Sequence, residues 1–116
     1  GADLNVISPT RPRPLSTAMS APNARALQDM MVSVVENGTG RRAQIPGVRV
    51  GGKTGTALTS SGGGGGRAPY AWFVAFAEEP KIAVAAFVQD AGVDGSEVTG
   101  GRYAAPIAQA VIEAVR

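Results

Sequence analysis

Between residues 20 and 37 the apolar positions follow a helical period. Leu27, Met30, Met31, Val34 and Val35 stand at i, i+3, i+4, i+7 and i+8, a spacing that collects side chains on one helix face. Ser20 supplies a hydroxyl cap ahead of the stripe, Pro22 suits the first turn, and Gly38 stands where a helix commonly ends. The pattern then changes. Val48, Val50, Thr54, Thr56 and Leu58 occupy even positions with Gly51, Gly52 and Gly55 among them, which predicts a strand over 48–59 that something approaches closely. YAWFVAFA and IAVAAFV flank Glu78-Glu79-Pro80-Lys81, predicting an antiparallel hairpin over 70–88. From 104 to 116, Ile107, Ala110, Val111, Ala114 and Val115 return to helical spacing behind Pro106.

The remaining segments connect these elements. Residues 1–19 carry Pro9, Pro12 and Pro14 and read as an extended connector, with a short strand at Leu4 to Ile7. Residues 39–47 end in the turn signal Pro46-Gly47. Residues 60–69 form a Gly-rich loop, with Gly62 to Gly66 giving it linker composition. The order helix, strand, strand, strand, helix gives an α+β fold, an antiparallel sheet with helices on both faces. Both hairpin strands are apolar on both faces, so both sides of the sheet need cover, and two helices are too few to supply it. The expectation is therefore that the chain is a piece of a larger sheet.

Composition narrows the chemistry. The net charge is only +2 and the 11 basic residues form no stripe, which argues against nucleic acid. Absence of Cys removes thiolate nucleophiles, disulfides and zinc-thiolate clusters, and absence of His removes the Ser-His-Asp triad and imidazole metal sites. Nucleophilic chemistry here must use a hydroxyl or an amine, with Lys as proton handler. No cofactor and no metal are expected. The longest apolar runs fall well short of the roughly 20 residues of a spanning helix, and GADLNV lacks a leader profile. Any export or anchoring signal is expected to lie elsewhere in a parent protein.

GVRVGGKTGTAL, residues 47–58, admits two readings. Gly47-x-x-x-x-Gly52-Lys53-Thr54 satisfies the phosphate-loop pattern, and Asp90 after an apolar strand imitates a magnesium-binding strand end. A phosphate loop, however, needs a helix to start at the Lys-Thr, and here Gly55-Thr56-Ala57-Leu58-Thr59 leads into serines and glycines. The hairpin is also too tight for a parallel crossover. As a strand, the segment can present backbone N–H groups to a peptide lying alongside. Gly55 removes a side chain that would block that approach. Lys53 supplies a fixed positive charge, and Thr54 and Thr56 place two hydroxyls on one face for an anion.

Lys53-Thr54-Gly55-Thr56-Ala57, preceded by Gly38-Thr39-Gly40 and Val50-Gly51-Gly52 and followed by AWFVAF and GGRYAAPI, resembles the C-terminal part of a class B penicillin-binding protein transpeptidase domain. That family belongs to the serine D,D-transpeptidase and β-lactamase superfamily, and the likeness is to its actinobacterial kind. The resemblance implies a peptidoglycan D,D-transpeptidase that cross-links stem peptides through a serine acyl-enzyme and binds penicillin and other β-lactams. It implies catalytic roles for Lys53 and Thr56, the latter through its backbone N–H in the oxyanion hole. Substrate binding would fall to Thr54, Gly55 and Thr56, the two hydroxyls holding a carboxylate. Its implied place is the extracytoplasmic face of the cell membrane.

The departures matter. No serine here has a Lys three places on, and Ser20-Ala21-Pro22-Asn23 is one residue too long for Ser-x-Asn. The nucleophile is expected from a preceding N-terminal segment of the same domain carrying both motifs, and this chain alone is expected to be inactive. The alternatives are a β-lactamase or penicillin sensor, and a non-catalytic fragment that binds peptide by strand addition. Other polar and aromatic residues read more simply. Met30, Met31, Tyr70, Trp72 and Phe73 read as packing residues, Asp90, Asp94 and Glu97 as a solvated loop, and Arg41-Arg42 as an exposed turn.

Overall fold

A computed structural model describes residues 8–57, 70–89 and 98–116. The expected strand at Leu4 to Ile7, the end of the 48–59 strand, the Gly-rich loop, and Asp90, Asp94 and Glu97 lie outside the described residues.

Helix α1 spans Ala21–Asn37. The Ser20 side chain accepts from the Asn23 N–H at 3.4 Å, satisfying one of the free donors at a helix start. At the other end the N–H groups of Gly38 and Gly40 both reach the Val34 carbonyl at 3.0 Å. Strands β1 (Val50–Ala57), β2 (Tyr70–Ala77) and β3 (Ile82–Val88) form an antiparallel sheet in the order β1-β2-β3. Its register places Val50 opposite Ala77, Thr54 opposite Phe73, and Ala71 opposite Val88. A π-helical turn, Gly100–Ala104, leads into helix α2 (Ala105–Val115). The fold is α+β, helices on an antiparallel sheet, as the sequence pattern requires.

The core lies on the sheet face of Phe73. Phe73, Ala71, Ala75, Ala77 and Ala86 are buried in one cluster with Ala105, Ala108 and Ile112 of α2. The stripe expected for α2 is thus corrected. Ile107, Val111 and Val115 are exposed, and the buried face is Ala105, Ala108 and Ile112, at i, i+3 and i+7. The two alanines let the helix axis approach the sheet closely, so small residues rather than large ones mark the contact. In α1 the buried residues are Val32 and Val35, whereas Met30 is 61% exposed and Leu27 is also exposed. Val35 thus belongs to the expected stripe, whereas Val32 lies outside it.

The second sheet face carries Trp72, Val74 and Phe87, which are 40%, 44% and 44% exposed. The rings of Trp72 and Phe87 pack at 4.4 Å, and Tyr70 meets Phe87 edge-on at 5.2 Å. Helix α1 packs on β1, and its Met31 shares the wall of a shallow pocket with Val74, Phe76 and Ala85. Arg49 joins α1 to the hairpin turn by ion pairs to Asp29 and Glu78. These pairs, the Glu78 hydrogen bond first, raise its guanidinium pKa above the ordinary value.

Candidate functional site

Lys53, Thr54, Gly55 and Thr56 run from the middle of β1 towards its end. The strand runs unbroken through Ala57, so no helix opens at Lys53-Thr54 and the requirement of a phosphate loop is not met. Among the described residues β1 is an edge strand. Alternation along it puts Thr54 and Thr56 on the Phe73 side and Lys53 and Gly55 on the Trp72 side. The flexible arm of Lys53 nevertheless returns to its neighbour. Its Nζ donates to the Thr54 carbonyl at 2.9 Å and approaches the Thr54 hydroxyl at 3.5 Å. The amine and the Thr54 hydroxyl are thereby brought together, while Gly55 faces Trp72, whose Cβ an added methyl would meet at 3.3 Å.

The structure adds partners from distant segments. The hydroxyls of Thr39 and Thr54 lie 3.2 Å apart. Thr39 follows α1, and a 3-10 turn over Arg41–Ala43 comes directly after it. From the other side, Gly100 and Gly101 seat the π-helical turn against the sheet backbone. A Cβ on Gly100 would collide with the Trp72 carbonyl and sit 3.1 Å from Gly55 N and O, and one on Gly101 would collide with the Thr39 carbonyl. Only glycine fits these two positions. The Thr99 hydroxyl caps the turn by accepting from the Arg102 N–H at 3.2 Å.

These segments enclose a pocket of about 520 Å³. Thr39, Thr54, Thr56 and Thr99 line it together with Gly100 and Gly101, and three arginines, Arg41, Arg42 and Arg102, border it. Among the described residues that line it there is no carboxylate and no apolar side chain. Hydroxyl donors beside fixed cations suit an anionic group. Thr39, Arg41, Arg42, Thr99 and Arg102 carried no site role in the sequence reading. Arg41-Arg42 does form an exposed turn, but one that lines this pocket. The available signal was local: paired glycines before Arg102, and Gly-Thr-Gly immediately before the arginine pair. Among the described residues no three His, Cys, Asp or Glu side chains gather as a metal site.

Comparison with known proteins bears on this arrangement. The profile of the penicillin binding protein transpeptidase domain matches residues 7–113. Peptidoglycan D,D-transpeptidase PbpA of Mycolicibacterium smegmatis is 42% identical over 116 residues, covering 98% of this chain and 23% of that protein. The Mycobacterium tuberculosis protein of the same name gives the same identity and coverage. The chain thus spans about a quarter of the length of these relatives. Among solved structures, the D,D-transpeptidase domain of a peptidoglycan glycosyltransferase from Eggerthella lenta superposes with a TM-score of 0.67 at 34% identity, over 91% of this chain and 22% of that one. The transpeptidase domain of penicillin-binding protein 3 from Burkholderia pseudomallei gives 0.60 at 33% identity, over 81% and 29%. The chain belongs to the penicillin-binding protein transpeptidase family.

Proposed function

We propose that this chain is the C-terminal portion of a peptidoglycan D,D-transpeptidase domain and forms the Lys-Thr-Gly wall of its acyl-transfer cleft. The observation that carries the reading is the grouping of Lys53 Nζ and Thr54 Oγ1 on an edge strand, with Thr39 Oγ1 brought beside them from the end of α1. Thr54 and Thr56 hold the C-terminal carboxylate of a stem peptide, or the carboxylate of a β-lactam. Lys53 contributes charge and assists proton movement at the nucleophile.

The family resemblance gives the Thr56 N–H its oxyanion-hole role, and strand geometry is consistent with it. In an antiparallel strand the N–H and C=O of one residue point to the same side, and the side alternates along the chain. The Thr54 carbonyl takes the Lys53 amine, and Thr56, two residues on, shares its side. A donor aimed at the developing oxyanion contributes about 3 to 4 kcal/mol to the transition state.

The nucleophilic serine and the Ser-x-Asn motif come from a preceding segment of the same domain, which also covers the Trp72 face. On this reading the domain works at the extracytoplasmic face of the membrane. The names of the relatives favour D,D-transpeptidation over β-lactam hydrolysis. The test is mass-spectrometric detection of cross-linked product by the whole enzyme, from a D,D-stem-peptide donor and an amine acceptor. Cross-linked product that disappears in Lys53→Ala supports the reading. Rapid hydrolysis of a β-lactam acyl-enzyme without peptide cross-linking would favour a β-lactamase instead.

A further inference from the structure

Two consecutive arginines, Arg41 and Arg42, border the pocket beside Thr54. Arg41 and Arg42 reach it from the short turn that follows Thr39.

That turn is rigidly placed. Gly40 is buried, and a Cβ there would meet the Phe73 ring at 3.1 Å. Ala43 is buried in the core, and its N–H donates to the Gly40 carbonyl at 2.9 Å. The Thr39–Thr54 hydroxyl contact registers the same segment to β1. The arginines themselves are held by carbonyl oxygens. Arg41 Nη2 donates to Asn37 O at 3.3 Å, and Arg42 Nη1 donates to Arg102 O at 3.3 Å. Each guanidinium has five donors in a planar fork that matches a carboxylate, so these single bonds leave donors directed elsewhere.

We propose that Arg41 and Arg42 form a second anion subsite, which binds an additional carboxylate of the peptide substrate next to the terminal carboxylate held by Thr54 and Thr56. The identity of the ligand as a peptide rests on the transpeptidase reading; the subsite itself rests on the turn, the pocket and the two guanidinium groups. The consequence is substrate selection: a stem peptide whose second carboxylate is free is preferred over one in which it is an amide. Amidation removes the charge and one acceptor, and with them the paired hydrogen bonds of the fork.

The experiment uses the whole enzyme and two synthetic D,D-peptide donors that differ only in a free carboxylate or a carboxamide away from the C-terminus. The readout is the ratio of kcat/KM for the two donors. The wild type should favour the carboxylate about tenfold, in line with a charge-assisted pair, and the preference should shrink with added salt. In Arg41→Gln/Arg42→Gln the ratio should fall towards one, with partial recovery in the double lysine variant. A ratio near one in the wild type, or a ratio the glutamines leave unchanged, overturns the subsite. If the double variant folds poorly, Arg41→Gln alone and the wild-type salt series decide the same question. An enzyme that turns over both peptides equally fails only this inference. One that turns over neither, and takes up no penicillin, fails the transpeptidase reading as well.

Discussion

The hydroxyl of Thr39 stands 3.2 Å from that of Thr54, joining the end of α1 to the middle of an edge strand. The Lys53 amine approaches the same Thr54 hydroxyl at 3.5 Å. If Thr54 binds the substrate carboxylate and Thr39 only orients it, the two should differ in weight. In the whole enzyme Thr54→Val should slow penicillin acylation by about 10- to 100-fold, the loss of a hydrogen bond to a charged group. Thr39→Val should slow it by about 3- to 10-fold, the loss of a neutral one. Stopped-flow acylation rates check this, and equal losses would argue against the division of roles.

The seat of the π-helical turn gives a stability prediction. Gly100 lies where a Cβ would run into the Trp72 carbonyl, and backbone cannot yield as a side-chain tip can. Gly100→Ala should destabilise the domain by about 1 to 3 kcal/mol, the range for overpacking. It should also slow penicillin acylation, since the turn forms part of the pocket beside Thr54. Thermal unfolding and acylation are measured together; a variant unchanged in both would contradict the close approach.

The corrected face of α2 is equally open to test. Ile112 is fully buried, whereas Ile107 is 45% exposed. Ile112→Ala should cost about 2 to 5 kcal/mol in urea denaturation, as buried aliphatic truncations do. Ile107→Ala should cost less than half as much. A reversed order would restore the stripe expected from periodicity.

Trp72 is the chain's single tryptophan, and its partly exposed position makes it a reporter of what covers the second sheet face. On the transpeptidase reading, its emission should shift to the blue, and its quenching by iodide should weaken, when the preceding segment of the domain assembles with this chain. Assembly without either change would mean that the Trp72 face is not where that segment packs.

Much of this arrangement is readable from sequence because it is local. The α1 caps, the hairpin and the Lys53 to Thr56 strand each depend on residues within one element, where periodicity and turn chemistry act directly. The buried face of α2 was not readable for a physical reason. Periodicity weighs large apolar residues most, and Ile107, Val111 and Val115 form the more conspicuous stripe. The sheet instead takes Ala105 and Ala108 because their small size permits close approach. The candidate site divides in the same way. Lys53, Thr54 and Thr56 follow from one motif, whereas Thr39 lies 15 residues before Thr54 and Arg102 lies 48 residues after it. Only the packing of Gly40 on Phe73 and of Gly100 on the sheet backbone brings them together.

On the transpeptidase reading, this chain completes a cleft whose nucleophile lies in another segment. Intact mass after incubation with penicillin tests that most directly, on this chain alone, on the preceding segment alone, and on the two combined. A penicilloyl adduct is expected only in the combined sample, on the preceding segment, and strongly reduced when Lys53 is replaced by alanine. Absence of any adduct from an assembled pair, or an adduct formed as readily without this chain, would contradict it.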